Sequence, residues 1–491
     1  MEGDEWNIAA HGKKKRELAG ELAIKLKNQF SKGSLLHYGQ GKWYPGEPLP
    51  RWAISMFWRV DGKPIWRDET LFSDEKVNDA YTEKHAAKFA KGLAMQLGLP
   101  EACLIPAYED VVSLTQLEQR FPDNIDPLKA NLTDSEDRQS LAMLLEKGLG
   151  KVAGYVMPLK PVSVKKKDTK KKTSEWLTSK WPMKREHLYL LSGDSPMGLR
   201  LPLDSLPWVL PKDEEPEFTV DPFEDAEALD GNLKTTVKSK HQKKKPMPRE
   251  VIHTALCVQV RNGRLYVFMP PTTHLEDYLA LISVVEETAS ALQLKLWIEG
   301  YTPPRDARIK MLSVTPDPGV IEVNIHPAGS WKELVSNVTN LYEIARKTRL
   351  GTEKFMLDGR HTGTGGGNHA TLGGATAADS PLLRRPDVLK SLITYWQNHP
   401  SLSYLFSGTF IGPTSQAPRI DEARDDNLYE LEIAFQQMEL ALPKTKESKR
   451  PWLVDRLLRH LLVDLTGNTH RSEFSIDKLY SPDGPTGRLG L

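Results

Sequence analysis

The chain has 491 residues, 39% of them hydrophobic, with 66 basic side chains set against 65 acidic ones. That length sets an expectation of roughly two to four domains, and 12 Trp point to a packed core rather than a disordered chain. The charge balance leaves no global field directed at nucleic acid or a membrane, and no apolar run reaches transmembrane length. The N-terminus, MEGDEWNIAAHGKKKREL, lacks the apolar stretch of a signal peptide. Two cysteines, Cys103 and Cys257, fit a reducing cytoplasm and exclude a disulfide scaffold or a cysteine-rich zinc site.

In chain order, residues 14–30 carry Leu18, Leu22, Ile24, Leu26 and Phe30 at helical spacing. A Gly/Pro/aromatic loop follows, HYGQGKWYPGEPLPRW, then a strand, AISMFWRV, closed by the turn DGKP. Residues 74–97 and 134–149 read as helices, the second with Asp134 or Ser135 as its N-cap. The run KKKDTKKK at 165–172 reads as a solvated loop, since no aromatic residues alternate with its charges. Residues 212–249 begin acidic, end basic and hold few apolar residues, so they read as a disordered insert dividing an N-terminal part, 1–211, from a C-terminal part, 250–491.

Past the insert, Asn262-Gly263 between two β-rich runs predicts a hairpin. A helix at 276–293, a strand at 295–299 and a strand within PGVIEVNIHP come next. Residues 331–347 are helical, with Leu334, Val335, Val338, Leu341 and Tyr342 as the apolar stripe. A helix near 386–398, a turn-rich loop at 406–424, a helix at 451–463 and a strand in HRSEFSIDKLY complete the series. The final GRLGL reads as a strand beginning just after the turn SPDGPTG, so the chain reads as a fragment. The class expected is α+β: antiparallel strands with helices between them.

The most informative stretch is DGRHTGTGGGNHATLGGAT, Asp358–Thr376. Seven glycines there, Gly363, Gly365, Gly366 and Gly367 among them, suggest a backbone that approaches something closely, such as a phosphate. Arg360, Asn368 and His369 distinguish the stretch from a flexible linker, which is the alternative reading. In IEVNIHP, alternation puts Glu322, Asn324 and His326 on one face and Ile321, Val323 and Ile325 on the other. Glu322 and Asn324 would suit a hard cation such as Mg2+, and an ordinary solvent-facing strand is the alternative. In HRSEFSID, Arg471 and Glu473 share a face that could present a guanidinium to a phosphate and a carboxylate to a metal or amine. There is no P-loop, no HExxH and no GxSxG.

Taken in order, these C-terminal pieces resemble the catalytic half of glutamine synthetase and its carboxylate–amine ligase relatives. The run from GVIEVNIHP to GTGGGNH is similar to that superfamily's stretch from a glutamate-bearing strand to its Gly-Ser-Gly-Met-His loop. IGPTSQAPR resembles its Pro-Thr-x-Asn-Ser-Tyr-Lys-Arg segment, although Gln416 and Ala417 depart from it, and NTHRSEFSID resembles its Asn-Arg-Ser segment. More closely, GDEWN, LLHYGQGKWYPGEPLPRWA, EGYTPPRD, RHTGTGGGNH and DKLYSPDGPTGRLGL resemble a bacterial family of amidoligases that usually follow a transglutaminase-like domain. Members often carry Glu where this chain has Gln259.

The resemblance implies a glutamine synthetase-like antiparallel sheet with flanking helices in 250–491, and an N-terminal α/β part. It implies ATP and Mg2+ as cofactors, with Glu322, Asn324 and His369 as metal ligands. The glycines, Asn368, Lys42 and Arg419 would contact the nucleotide, and Arg471, Arg360 and Glu473 would serve catalysis. The reaction implied joins a peptide or small-molecule carboxylate to an amine through an acyl phosphate, alongside a transglutaminase-like domain in the same or a neighbouring chain. A phosphotransferase of the same fold, or a non-catalytic binding domain, is the alternative.

Overall fold

A computed structural model describes residues 3–44, 47, 50–75, 77–109, 152–164, 173–181, 188–195, 198–200, 251–355, 358–359, 361–362, 369–404, 427–441, 451–469, 472–480 and 487–490. The helix expected at 134–149, the basic run 165–172, the insert 212–249 and the loop 406–424 lie outside these residues. The described residues form an α+β structure in two compact units, one drawn from the chain between Ser31 and Pro304, the other from its two ends.

The chain enters through α1 (Lys13–Phe30), whose Leu18, Leu22 and Leu26 are buried at helical spacing while Ile24 faces solvent. The first unit follows: β1 (Leu35–Gln40), β2 (Trp52–Arg59), α2 (Glu83–Gln96), β3 (Ile105–Glu109), β4 (Gly154–Pro158), β5 (Lys160–Val164), β6 (Thr173–Leu177), β7 (Leu188–Ser195), β8 (Gly198–Arg200), β9 (Ala255–Arg261), β10 (Arg264–Met269), α3 (Leu275–Leu292) and β11 (Leu296–Gly300). Its sheet runs β2-β1-β11-β10-β9-β4-β3-β7-β8. The sheet is mixed rather than antiparallel. The passage through α3 brings the chain back in its starting direction, so β10 and β11 pair parallel, and β1 pairs parallel with β11 as well. The β9–β10 turn is the one the sequence predicts: Asn262 and Gly263 both have left-handed φ, 49° and 71°.

Register divides this sheet into two faces. Leu256, Val258, Leu265, Val267, Leu296 and Ile298 form a fully buried apolar face. The other face carries Tyr38, Glu299, Phe268 and Cys257 in one row and Trp297, Tyr266 and Gln259 in the next. α2 begins at Glu83, not at 74. Residues 74–81 are taken by the hairpin instead: Arg264 donates to the Val77 and Glu75 carbonyls, and Tyr81 N–H donates to Gly263 O. Ala80, with φ 56°, rules out a helix there.

The second unit contains α1, β12 (Ile309–Asp317), β13 (Val320–Asn324), α4 (Trp331–Lys347), β14 (Lys354–Phe355), β15 (His361–Thr362), β16 (Thr371–Leu372), α5 (Pro381–Arg384), α6 (Pro386–Gln397), α7 (Ser401–Tyr404), α8 (Asn427–Ala441), α9 (Pro451–Leu458) and β17 (Leu489–Gly490). α1 packs on β12 and on α4. Lys15, fully buried on α1, donates from Nζ to the carbonyls of Ala9, Ala10 and Asp317, fastening the β12–β13 turn to the N-terminal segment.

α4 has the predicted limits, Ser330 capping it by accepting from Glu333 N–H, but it buries Asn337 and Ile344 and leaves Trp331, Val335 and Tyr342 exposed. A core of Leu382, Leu389, Phe435, Val454, Phe474 and Leu489, among others, joins α5, α6, α8 and α9. The helix expected at 451–463 stops at Leu458. The strand expected over 470–480 is, among the described residues, a single bridge at Ser475 followed by a turn that Leu479 N–H closes onto Ile476 O.

Candidate functional site

The glycine-rich stretch is anchored at both ends. Before it, β14 and β15 pair through Lys354↔Thr362 and Phe355↔His361, and Lys354 Nζ donates to Trp6 O at 2.9 Å and to Asn7 Oδ1 at 3.0 Å. After it, Thr371 and Leu372 pair with Gly490 and Leu489. Two of the seven glycines are explained by the fold itself. A Cβ on Gly373 would stand 2.7 Å from Gly487 O, and one on Gly374 would stand 2.5 Å from the Asp379 carbonyl carbon. What these two approach closely is the chain's own backbone. Arg360, Gly363, Gly365, Gly366, Gly367 and Asn368 lie outside the described residues, as do Arg419 and Arg471.

β17 lies between two segments that sequence reasoning treated separately. On one side it pairs with β16, two residues after His369; on the other, Gly490 exchanges both backbone hydrogen bonds with Ser475, at 3.0 and 2.8 Å, two residues after Glu473. Both flanking segments run antiparallel to β17, hence parallel to each other, so His369 and Glu473 lead into the same end of this patch. At two strand spacings the flanking segments are about 10 Å apart.

Register sorts the side chains. Leu489, Phe474 and Ile476 point into the helical core, while Thr371, Arg488, Ser475 and Asp477 fall on the opposite, polar face, together with Glu473 by alternation. His369 is exposed and Glu473 half-buried. Asp477 accepts from Thr469 Oγ1 at 2.6 Å. Sequence reasoning missed Arg488: it sits in GRLGL, where no pattern marks it.

The β12–β13 hairpin supplies a second polar row. Thr315 faces Glu322 and Ser313 faces Asn324, while Leu312 and Val314 are buried on the other side. Asn324 Nδ2 donates to Glu322 Oε1 at 2.8 Å, which sets the carboxylate and the amide side by side on this row. His326 does not extend this row. It lies beyond the end of β13, buried, its ring packed edge-on against Phe30 at 5.1 Å, with Asn337 Nδ2 donating to its Nε2 at 3.1 Å. Burial, with Lys310 nearby, holds its imidazole below the usual range, so it is a neutral core histidine.

Among the described residues no group of three His, Cys, Asp or Glu side chains converges on one point. A magnesium ion asks for less than that, one or two carboxylates with water and substrate phosphates completing its shell. Glu322 with Asn324 fits that habit.

In the first unit, Lys42 is exposed on the loop after β1. That loop is braced by Arg51, which donates from Nε and Nη2 to the Glu47 carboxylate and lies 4.3 Å over the Tyr44 ring. The sheet face described above holds a further group that sequence reasoning missed, Glu299. It is buried, paired with Arg261, and its carboxyl is pushed above the ordinary range by burial, against the pull of that guanidinium. Arg261 lies 3.8 Å over the Tyr266 ring. Neither cysteine supplies a thiolate at neutral pH, since burial raises Cys103 and pushes Cys257 up to about 12. His37, wholly buried in the apolar face, is held down to about 4 by the same cause, with the Tyr301 backbone opposing weakly.

A family described as "Putative amidoligase enzyme" matches residues 1–491. The chain belongs to this family. No curated protein and no solved structure matches it. Among the described residues no helix is long and apolar enough to cross a membrane.

Proposed function

We propose that this amidoligase-family protein is an ATP- and Mg2+-dependent carboxylate–amine ligase that forms an amide or peptide bond through an acyl phosphate. The observation that carries this reading is the position of β17, paired with both the His369 and the Glu473 segments. Two further features support it: the Glu322–Asn324 pair offers oxygen donors to a hard cation, and both thiols are held protonated, which disfavours a thioester route. In this reading a substrate carboxylate oxygen attacks the γ-phosphorus, the bond to the bridging oxygen breaks, and ADP leaves. An amine then attacks the acyl carbon, phosphate departs, and one proton passes to a base.

Such transfer needs charge neutralisation and alignment more than covalent help. Glu322, Asn324 and His369 would hold the magnesium, which supplies neutralisation of phosphate oxygens. Arg471 and Arg360 neutralise the transferring group. Glu473 orients the amine and takes its proton. The glycines, Asn368 and Arg419 serve the nucleotide. The acid and amine are peptides or small molecules, with a transglutaminase-like domain as partner and a reducing cytoplasm as the compartment.

Product analysis tests the reaction type. Protein incubated with Mg-ATP, candidate acids and amines is expected to release ADP and phosphate in step with a new amide. A stable phosphorylated product would instead assign a phosphotransferase.

A further inference from the structure

Among the described residues, most arginines taken out of water come with carboxylates, and Arg264 donates to the Val77 and Glu75 carbonyls instead. Arg51 faces Glu47, Arg59 faces Asp61, Arg261 faces Glu299, Arg308 faces Asp306 and Arg459 faces Asp455. Arg488 is the exception. It is half-buried, yet among the described residues its guanidinium has no carboxylate and no hydrogen-bond partner, and Asp477 on the same face is engaged by Thr469. A cation held partly out of water without a counter-charge costs stability.

Its setting is built around that side chain. Arg488 is next to β17 and opposite Gly373, and its Cγ stands 2.8 Å from where a Cβ on Gly373 would be, so only glycine lets the stem cross there. Gly487, with φ +67°, turns the chain into this position against Ala377 and Ser380. The guanidinium thus belongs to the polar face that also carries Thr371 and Ser475, four residues on from His369 across the ladder.

We propose that Arg488 anchors an oxyanion on the polar face of the β16–β17 patch, either a phosphate group or a substrate carboxylate. The planar fork of a guanidinium suits both, and pairing it supplies a counter-charge that the described residues do not. Burial depresses the Arg488 guanidinium below its ordinary value with no opposing carboxylate, in keeping with an unpaired cation. As a subsite of a ligase it rests on the function proposed above; as an anion site it does not.

The test is anion binding by the protein and by its Arg488→Met and Gly373→Ala variants, followed by titration calorimetry with inorganic phosphate and, separately, acetate, and by thermal unfolding in anion-free buffer. Arg488→Met is expected to weaken one of the two anions at least about tenfold, while its anion-free unfolding temperature stays level or rises, because an unpaired half-buried charge has been removed. Gly373→Ala is expected to weaken the same anion. Phosphate dependence identifies a phosphoryl group as the source, and acetate dependence identifies a carboxylate. Equal anion affinity in Arg488→Met and the unaltered protein, or a lowered anion-free unfolding temperature with unchanged affinity, would overturn the proposal. Loss of Mg-ATP binding without loss of the Arg488-dependent anion would count against the ligase reading alone.

Discussion

Arg261→Met is expected to lower the unfolding free energy by about 3 kcal/mol at neutral pH, because it strands a buried carboxylate. Glu299 is 4% exposed and its carboxyl is already raised by burial despite the arginine beside it. A carboxyl raised in the folded state favours folding below its unfolded value and loses that contribution as pH rises. The deficit of Arg261→Met is therefore smallest below about pH 3.5, where Glu299 is mostly protonated in both states. It grows toward neutrality. Denaturant unfolding of the variant across that range checks both magnitude and slope, and a deficit independent of pH would show that Glu299 is not the group left exposed to the loss. The double variant Arg261→Met/Glu299→Leu should recover most of the stability, since replacing a buried pair by apolar groups is often neutral.

Phe474→Ala is expected to cost about 3–5 kcal/mol. The ring is 1% exposed, sits in the core formed by α5, α6, α8 and α9, and packs edge-on against Trp396 at 5.5 Å. The change also reaches the candidate site, because Phe474 lies between Glu473 and Ser475 and fixes which way the polar face points. Urea unfolding gives the stability loss. Hydrogen exchange at Ser475 and Gly490 reports whether the two segments stay joined; protection there matching that of the unaltered protein would separate the core from the patch.

Much of the scaffold was legible because local chemistry and tertiary packing agreed. Asn262-Gly263 takes the left-handed turn its residues favour, and α4 starts at a serine cap and ends where its pattern ends. Where the two disagreed, packing won. Residues 74–81 have the composition of a helix, but Arg264 and the β9–β10 turn hold their carbonyls and amides. α8 left no periodic trace because it is apolar on two sides, with Leu431, Phe435 and Met438 buried while Tyr429, Ile433 and Leu440 are exposed.

The site was legible only in pieces. Glu322 and Asn324 share a face as alternation requires, and Leu489–Gly490 within GRLGL is a strand. His326 departs from the pattern because β13 ends before it and α4 offers Asn337 to its ring. That β17 runs between β16 and Ser475 depends on a pairing across more than a hundred residues, which no local pattern encodes. Arg488 was invisible for a related reason: what marks it is the lack of a partner among the described residues, a property of the folded surroundings.

In the proposed function, the His369 loop and the Glu322 hairpin serve a Mg-ATP site. Calorimetric titration of the protein with ATP, with and without Mg2+, and of Glu322→Ala and His369→Ala, tests it most directly. Binding is expected to require Mg2+ and to weaken at least about tenfold in each variant. Binding indifferent to Mg2+ and to both substitutions, or no binding at all, would contradict it.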